Sequence, residues 1–437
     1  MSKRFSGIVA VIILSCISVL SYSQDGADNA FSPYSIFGIG DLSPEGSARE
    51  RSMGGVGIAG RDRRYINMTN PAAVTARDTL SVMFDIGLVN DNRIFRQNGI
   101  KSANNTFNIN NIAISFPIWK KTAAMVGLKP FSSVGYKYSY NVDDPELLAT
   151  SGFVTYESDG NGGLYQLFGS VGTTLWNRLS IGAEAIYYFG NIDKETTMRF
   201  SQSSFRTISS GYTLQLNSFG AKFGVQYEKP VDDKYLTFAA TYRTGSRLNG
   251  HVTDYKYASL SSTVDTVYHN IDTLSKTRSV SLKSEIGLGI SIRKPEKWSA
   301  ELNYVFSDWS SSGMDVATGF ANNGSSVFSA TRTQSVRAGF EYIPNRNDIR
   351  YYLRQCAYRG GVYYRQDYYK LDGNAVDSYG ITLGITLPIF RWYNGLSIGV
   401  DVGQRGGLKG NMVKENYATV VIGFNIHDLW FLKPRYE

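Results

Sequence analysis

The stretch Leu179–Gly190, LSIGAEAIYYFG, alternates apolar residues with small or polar ones. Ile181 and Phe189 fall on one face of an extended chain, while Ser180 and Glu184 fall on the other. A membrane-spanning β-strand has about 9–11 residues, with successive side chains directed to lipid and to the lumen. This stretch therefore predicts one strand of a transmembrane β-barrel.

The same alternation recurs along most of the chain. It is found in Phe219–Tyr227, Ile286–Ile292, Trp298–Ser307, Val336–Tyr342, Ile381–Leu387, Leu396–Gly403 and Ala418–Ile426. A soluble sandwich also alternates, but its solvent face would be rich in Lys and Glu, whereas here that face is mostly Gly, Ser, Thr and Asn. We predict an all-β fold, a fourteen-stranded antiparallel transmembrane β-barrel.

Composition excludes several other classes of protein. Of the 437 residues, 14% are aromatic and only 19% are charged, a balance that argues against disorder. Two cysteines and three widely separated histidines make a disulfide scaffold or a metal-ligand cluster improbable. We therefore predict no metal, no cofactor, no catalytic residue and no enzyme activity. The formal net charge is +8, but no basic run interleaved with aromatics indicates a nucleic-acid partner.

The N-terminus predicts export. Lys3 and Arg4 precede an apolar run from Gly7 to Leu20, and small residues at Ser21 and Ser23 fit a cleavage site. Residues 1–23 are therefore interpreted as a signal peptide. A lipoprotein site at Cys16 is the lesser alternative, because it would cut the apolar run in half. The expected location is the outer membrane of a Gram-negative bacterium, and an even number of strands would place both termini in the periplasm.

The connections alternate in length, as expected for an outer-membrane barrel. The long ones are predicted at Asn141–Gly162, Ile192–Ser210, Asn249–Thr277 and Ser310–Ser326. A lumen bounded by fourteen strands is too wide for side chains of the wall alone to fill. We predict that residues 24–78 fold into it as a plug, or hatch, that residues 79–428 form the barrel, and that residues 429–437 form a periplasmic tail.

The N-terminal region carries three motifs of a known family. They read FSPYSIFGIG at 31–40, RSMGGVGIA at 51–59 and TNPAA at 69–73. These motifs resemble the hatch of the FadL-type outer-membrane transport proteins, as do ISFPI at 114–118 with MVGL at 125–128, and NYVFSDW at 303–309. On this resemblance the hatch residues of interest are Gly54, Gly55, Gly57, Asn70, Pro71 and Ala72.

The resemblance implies passive uptake of hydrophobic small molecules, fatty-acid-like or aromatic, by movement of the hatch. The ligand would leave sideways into the lipid through a gap where the third strand kinks. Candidate residues for this opening are Pro130, Phe131, Ser132, Ser133 and Gly135, because proline cannot donate to the ladder. The alternative interpretation of the same residues is a plain β-bulge.

The predicted lumen face carries eight ionisable residues. They are Glu184, Lys222, Arg243, Glu285, Glu301, Arg337, Glu341 and Asp401. Ionised groups in a narrow lumen are costly unless they are paired or hydrated. The hatch offers partners for them at Arg49–Arg51 and Arg61–Arg64. We expect these charges to hold the hatch rather than to form a charged substrate path.

The C-terminal residues 429–437, LWFLKPRYE, extend past the last strand as a basic and aromatic tail. This tail resembles those of FadL-like proteins from a subset of Gram-negative bacteria, and some relatives there serve as accessory subunits of outer-membrane assembly or secretion machines. A second functional hypothesis is therefore a non-transporting barrel that contacts other envelope proteins through this tail. The alternative is an ordinary strand end with Trp430 and Phe431 at the membrane interface.

Overall fold

The computed structural model describes residues 31–78, 80–142, 145–146, 152–260, 263–274, 279–321, 326–389 and 394–429. The predicted signal peptide (residues 1–23), residues 24–30 of the predicted hatch and residues 430–437 of the predicted tail lie outside this range. The barrel strands are β1 (Ser81–Gln97), β2 (Ile100–Trp119), β3 (Thr122–Asn141), β4 (Val154–Leu175), β5 (Leu179–Phe200), β6 (Thr207–Val231), β7 (Lys234–Arg243 and Asn249–Leu260), β8 (Thr263–Thr273 and Glu285–Lys294), β9 (Trp298–Asp308), β10 (Phe328–Ala330 and Arg332–Tyr342), β11 (Ala357–Leu371), β12 (Asn374–Pro388), β13 (Gly395–Arg405) and β14 (Lys414–Leu429).

Short elements complete the described chain. Two α-helices of one turn are α1 (Ala48–Arg51) and α2 (Tyr352–Gln355), and two 3₁₀ helices span Pro33–Ile36 and Pro71–Thr75. Two-residue strands are Asp41–Leu42, Ser246–Arg247 and Ser281–Leu282. No helix within the described ranges is both long and apolar enough to cross a membrane.

The fourteen strands form one closed antiparallel barrel, which confirms the predicted fold. Each strand pairs with the next in sequence, and β14 pairs with β1 from Ser81↔Leu429 to Arg96↔Lys414. The predicted alternation of faces is also present: Leu288 is 51% exposed on the outer face, whereas Asn303 on the neighbouring strand is 1% exposed on the lumen face. Closure leaves few unpaired backbone groups to face lipid.

One end of the barrel has short turns and the other has longer strands, and we call them the turn end and the extended end. At the extended end the prediction of long loops is partly wrong. Residues 249–260 and 263–273 form the outer halves of β7 and β8. Strand β5 extends to Phe200, and β6 begins at Thr207. In β8 every residue from Thr263 to Asp272 is exposed, so its sequence lacks the apolar alternation that marks a strand with one buried face.

Candidate functional site

The N-terminal segment 31–78 occupies the lumen, as its hydrogen bonds to the inner wall demonstrate. Its turn-end part begins at α1, which is stabilised by a capping box: the backbone N–H of Ser47 donates to Glu50 at 2.9 Å, and Arg49 N–H donates to Ser47 Oγ. Gly54 N–H then donates to Thr382 Oγ1 on β12 at 2.7 Å. Ala59 N–H donates to Glu301 Oε1 on β9 at 2.8 Å.

Close backbone packing against inward-facing glycines fixes this segment. We call these residues the glycine belt: Gly172, Gly182, Gly224, Gly287, Gly289, Gly339, Gly361, Gly384, Gly399 and Gly423. A Cβ on Gly361 would lie 2.3 Å from Gly54 N, and one on Gly182 would lie 2.4 Å from the carbonyl carbon of Pro71. Both separations are far below van der Waals contact, so the hatch backbone fits only where the wall has no side chains.

The predicted hatch residues lie at these contacts. Gly54 adopts φ +71° and touches the backbone of β10 and β11, and Gly55 follows with φ +77°. Asn70 caps the helix Pro71–Thr75: its Oδ1 accepts from Ala72 N–H at 3.0 Å, and its Nδ2 donates to Ile58 O at 2.8 Å. Gly57 lies against Thr69 within the hatch itself.

A cluster of buried ion pairs ties the hatch to the turn end. We call it the arginine anchor: Arg49, Asp62 and Arg64 of the hatch with Glu341 of β10 and Arg359 of β11. Glu341 accepts from Arg64 Nη2 and from Arg359 Nε, both at 2.7 Å, and Arg49 Nε lies 3.5 Å from its Oε2. The guanidinium groups of Arg49, Arg64 and Arg359 lie 5.1–5.3 Å from the centre of the Tyr65 ring.

The neighbouring arginines of the anchor determine the protonation state of Asp62. Burial disfavours the ionised form of Asp62, but the adjacent Arg64 and Arg49 outweigh it and hold the pKa of Asp62 well below its usual range. Asp62 is therefore a carboxylate at neutral pH. A buried cluster of this kind is strongly destabilised when one member is removed, because its partners are left uncompensated.

Two further hatch carboxylates form ion pairs with the wall higher in the lumen. Glu45 binds Lys222 Nζ at 3.0 Å and Arg243 Nη1 at 3.2 Å, and burial is outweighed by Lys222, Lys129 and Arg243, which lower the pKa of Glu45. Asp41 makes a bidentate pair with Arg405, at 2.7 and 2.8 Å. The hatch is thus held at three levels.

The structure brings five of the eight predicted lumen charges into direct contact with the hatch. Lys222 and Arg243 bind Glu45, Glu301 and Glu341 bind the turn-end part, and Arg337 Nη1 donates to Gly55 O at 3.1 Å. The remaining three have other surroundings. Glu285 pairs with Arg243 at 2.8 Å, Asp401 accepts from Tyr363 Oη at 2.9 Å, and Glu184 is buried on the lumen face of β5.

Apolar side chains fill the lumen at the extended end. We call this group the mouth core: Tyr34, Phe37 and Ile39 of the hatch with Trp309, Met314 and Phe320 of the β9–β10 connection and Phe328, Tyr368 and Tyr369 of the wall. All are buried, and Gly38 N–H donates to Phe320 O at 3.0 Å. The ring centres of Trp309 and Tyr368 are 4.9 Å apart. The sequence predicted Ser310–Ser326 as an outer loop, and its described part folds inward instead.

The wall separates between β2 and β3. Their ladder ends at the pair Ile112↔Leu128, although β2 continues along β1 and β3 continues along β4. The edge of β3 is covered by the hatch strand, through Asp41↔Ser133 and Leu42↔Ser132. A cavity of about 350 Å³ lies at this gap, which we call the side opening. Phe107, Ile109, Ile112, Leu128 and Pro130 contribute apolar walls, and Asp41, Asp91, Arg93 and Lys129 contribute charges.

The predicted opening residues all lie beside this gap. A bulge or irregularity shifts the β3–β4 register between Pro130 and Ser132, just beyond the last β2–β3 pair, Ile112↔Leu128. Phe131 is buried and its ring packs edge-on against Tyr188, with centres 4.8 Å apart. Ser132 and Ser133 pair with the hatch strand, and Gly135 O accepts from Ser32 N–H at 2.7 Å.

Sequence reasoning missed two features of the lumen. In the sequence, the glycine belt is visible only as a high glycine content on the non-apolar face. The strand register is what places these glycines at the same level of the barrel. The pairing of Asp41–Leu42 with β3 joins segments about 90 residues apart, and no local pattern indicates it. The signal that could have found the belt is the recurrence of glycine at lumen-facing positions, as at Gly182 and Gly361.

The closed antiparallel barrel of fourteen strands matches the fold of solved FadL-type channels. Similar solved structures are a Pseudomonas putida toluene transporter TodX (TM-score 0.61, 14% identity, 90% of this chain and 100% of that one), a Pseudomonas aeruginosa FadL homologue (0.58, 14%, 90% and 99%) and the Ralstonia pickettii toluene transporter TbuX (0.56, 14%, 87% and 98%).

The sequence family has a different name from that of these solved structures. The chain belongs to the BamG family, whose profile matches residues 1–437. A sequence search of functionally described proteins finds no significant match. The expected resemblance to FadL-type proteins therefore holds for the fold, while the sequence family is BamG.

Proposed function

We propose that this protein is a non-transporting barrel subunit of a larger complex in the outer membrane of a Gram-negative bacterium, with both termini in the periplasm. The observation that carries the proposal is the occupied lumen. The arginine anchor and the glycine belt hold the hatch at the turn end, and the mouth core fills the extended end. A plug that moves for each passing molecule would have to separate these buried ion pairs every time. Buried ion pairs are costly to separate.

A test of this role is co-purification. The tagged full chain is extracted from envelopes in a mild detergent, and its partners are identified and counted by mass spectrometry. We expect at least one stoichiometric envelope protein, and we expect a variant that lacks residues 430–437 to lose it if the tail is the contact. Recovery of the barrel alone, after extraction with and without chemical crosslinking, would contradict the accessory role.

The second candidate is passive uptake of a hydrophobic small molecule through the side opening. The specific observation in its favour is the 350 Å³ cavity with apolar walls where β2 and β3 separate. In this proposal the ligand leaves toward lipid between Ile109 and Pro130, after the hatch strand Asp41–Leu42 is released from β3. The fold shared with toluene transporters supports the geometry of such a route.

Ligand retention distinguishes the two candidates. The purified protein is soaked with radiolabelled toluene or a long-chain fatty acid and separated from free ligand. Transport predicts retained ligand that is lost when Pro130 or Ile109 is replaced by aspartate. An accessory role predicts no retention above that of an unrelated outer-membrane barrel in the same detergent.

A further inference from the structure

Two small cavities adjoin in the middle of the lumen, with volumes of about 100 and 80 Å³. We call them the central cavities. A buried water needs about 10–15 Å³ of such space, so each cavity has room for several waters or for a small ion. The residues that line both cavities include Leu42, Pro44 and Glu45 of the hatch and Ser335, Arg337 and Arg365 of the wall.

Arg337, on β10, has no carboxylate partner in the described part of the chain. Its Nε donates to Ser335 Oγ at 2.9 Å and its Nη1 donates to Gly55 O at 3.1 Å, and both acceptors are neutral. The side chain is half-buried, and its Nη2 is not among the fully enclosed atoms that lack a partner. The guanidinium therefore presents an uncompensated charge and an unused donor to the cavities that it lines.

Arg365, on β11, is a second cation of this kind. Its contact with a carboxylate is to Asp367 Oδ1 at 3.5 Å, and Asp367 Oδ2 already accepts from Arg405 Nε at 2.7 Å. The side chain of Arg365 is 26% exposed. Arg365 pairs with Ser335 across the two strands, so it is the diagonal neighbour of Arg337 on the lumen face, at about 7–8 Å. Two like charges at this separation repel each other, and an anion between them would remove the repulsion.

The carboxylates of the smaller cavity are already bound to other cations. Glu45 and Glu285, the acidic residues on its walls, form ion pairs with Lys222 and Arg243 at 2.8–3.2 Å. The arginines of β10 and β11 therefore remain as a surplus of two positive charges. The walls of the larger cavity carry five cationic and five acidic residues, so no such surplus arises there.

We propose that the smaller central cavity binds a small inorganic oxyanion, such as phosphate, between Arg337 and Arg365. Guanidinium groups present paired N–H donors that match the oxygens of an oxyanion, and two surplus positive charges match a doubly charged one. Chloride offers a single charge and no such pair of acceptors. The bound anion would lie against the hatch segment that contains Glu45, and would connect it to β10 and β11.

The side opening provides a route for exchange. Leu42, Ser43 and Pro44 line both the smaller central cavity and the cavity at the side opening. Movement of this short hatch segment is therefore enough to connect the two spaces. Water is the competing occupant, with the carboxylate of Asp401 on the wall of the larger cavity offsetting part of the positive charge.

The experiment counts the anions that the protein retains. The full chain, in detergent, is dialysed against an acetate buffer that contains equal concentrations of phosphate, sulphate and chloride, and is then separated from free ions by rapid gel filtration. The protein is denatured, and the released inorganic anions are counted by ion chromatography. Phosphate that belongs to lipid is esterified, so it does not register as a free anion.

Two substitutions test the site. Arg365→Gln removes a surplus charge and leaves the hydrogen bonds between hatch and wall in place, because the Arg365 side chain donates none in the described ranges. Arg365→Lys keeps the charge without the paired donors. The matched control is Arg332→Gln, which removes a charge that is 73% exposed on β10.

We expect one phosphate or sulphate to be retained per unmodified chain. In Arg365→Gln, the anion concentration needed for half occupancy should rise about ten-fold or more, as for the loss of one charge-assisted hydrogen bond, with a smaller rise in Arg365→Lys. The control should bind as the unmodified chain does. Release of no anion would show that the cavity holds water and would overturn the proposal. Preferential release of chloride, or equal weakening by Arg365→Gln and Arg332→Gln, would overturn it as well.

The site does not depend on the accessory role. Anion release is measured on the isolated chain, whereas the accessory role is tested by the presence of a partner. Either result therefore stands when the other fails.

Discussion

The hatch meets the barrel wall in two different ways on its two sides. Along β4–β6 and β8–β14, it packs on the glycine belt and is joined to the arginine anchor. Beside β2 and β3, it replaces a missing stretch of wall with a strand of only two residues, Asp41–Leu42. We call these the anchored side and the side opening. At the side opening the contact between the hatch and β3 itself consists of backbone pairing, while Asp41 stays bound to the opposite wall through Arg405.

This contrast bears on function. Hydrogen bonds between two-residue strands are modest in net free energy, about 0.5–1.5 kcal/mol each, whereas breaking a buried ion cluster costs about 3–5 kcal/mol. A small opening movement at β3 is therefore far less costly than displacement of the whole hatch. The anchored side suits a permanent plug, and the side opening is where any ligand exchange would be concentrated.

The largest effect is expected from Glu341→Ala on the anchored side. This change leaves Arg49, Arg64 and Arg359 without their shared carboxylate, which is expected to destabilise the protein by about 3–5 kcal/mol. The measurement is the free energy of unfolding in urea, together with the rate of trypsin cleavage within residues 49–64.

The control is Asp308→Ala, which removes an ion pair with Arg332 at the surface. Exposed pairs contribute about 0.2–1 kcal/mol, so this variant should unfold almost as the unmodified protein does. If Glu341→Ala resists trypsin and urea as well as Asp308→Ala does, the cluster does not hold the hatch and the contrast between the two sides fails.

A smaller effect is expected from Gly361→Val, which tests the glycine belt. The new Cβ would lie 2.3 Å from Gly54 N, so the hatch must shift away from β11. Overpacking of this kind costs about 1–3 kcal/mol. The matched control is Gly169→Val, where a Cβ meets nothing within 4 Å. Equal unfolding midpoints in urea for the two variants would mean that the belt does not position the hatch.

The sequence predicted the wall better than it predicted the contacts inside it. Alternation is enforced wherever one strand face meets lipid and the other meets the lumen, so residues such as Ile181 and Ser180 reveal their faces directly. The role of the lumen charges was also foreseeable, since Glu341 needs a partner and the hatch is rich in arginine. Glycine carries no side chain, so Gly361 gives no sign of what it touches.

The side opening illustrates a second limit. Pro130 marks an irregularity in β3, because proline cannot donate to the ladder. Whether β2 and β3 then separate depends on β2 as well, and the sequence of β2 gives no sign of a break beside Pro130. The cover supplied by Asp41–Leu42 depends on the path of the hatch through the lumen. Both are properties of the assembled barrel rather than of a local pattern.

The smallest effect, and the one that bears most directly on the side opening, is expected from Ser43→Pro. The backbone N–H of Ser43 donates to Phe131 O at 2.9 Å, and proline removes that donor. Ser43→Ala keeps the N–H and is the matched control. We expect Ser43→Pro to lower the free energy of unfolding by only about 0.5–1.5 kcal/mol, but to speed hydrogen exchange at residues 131–135 while residues 48–54 remain protected. If exchange increased equally in both segments, the hatch would open as one unit, and the side opening would not be a separate weak point.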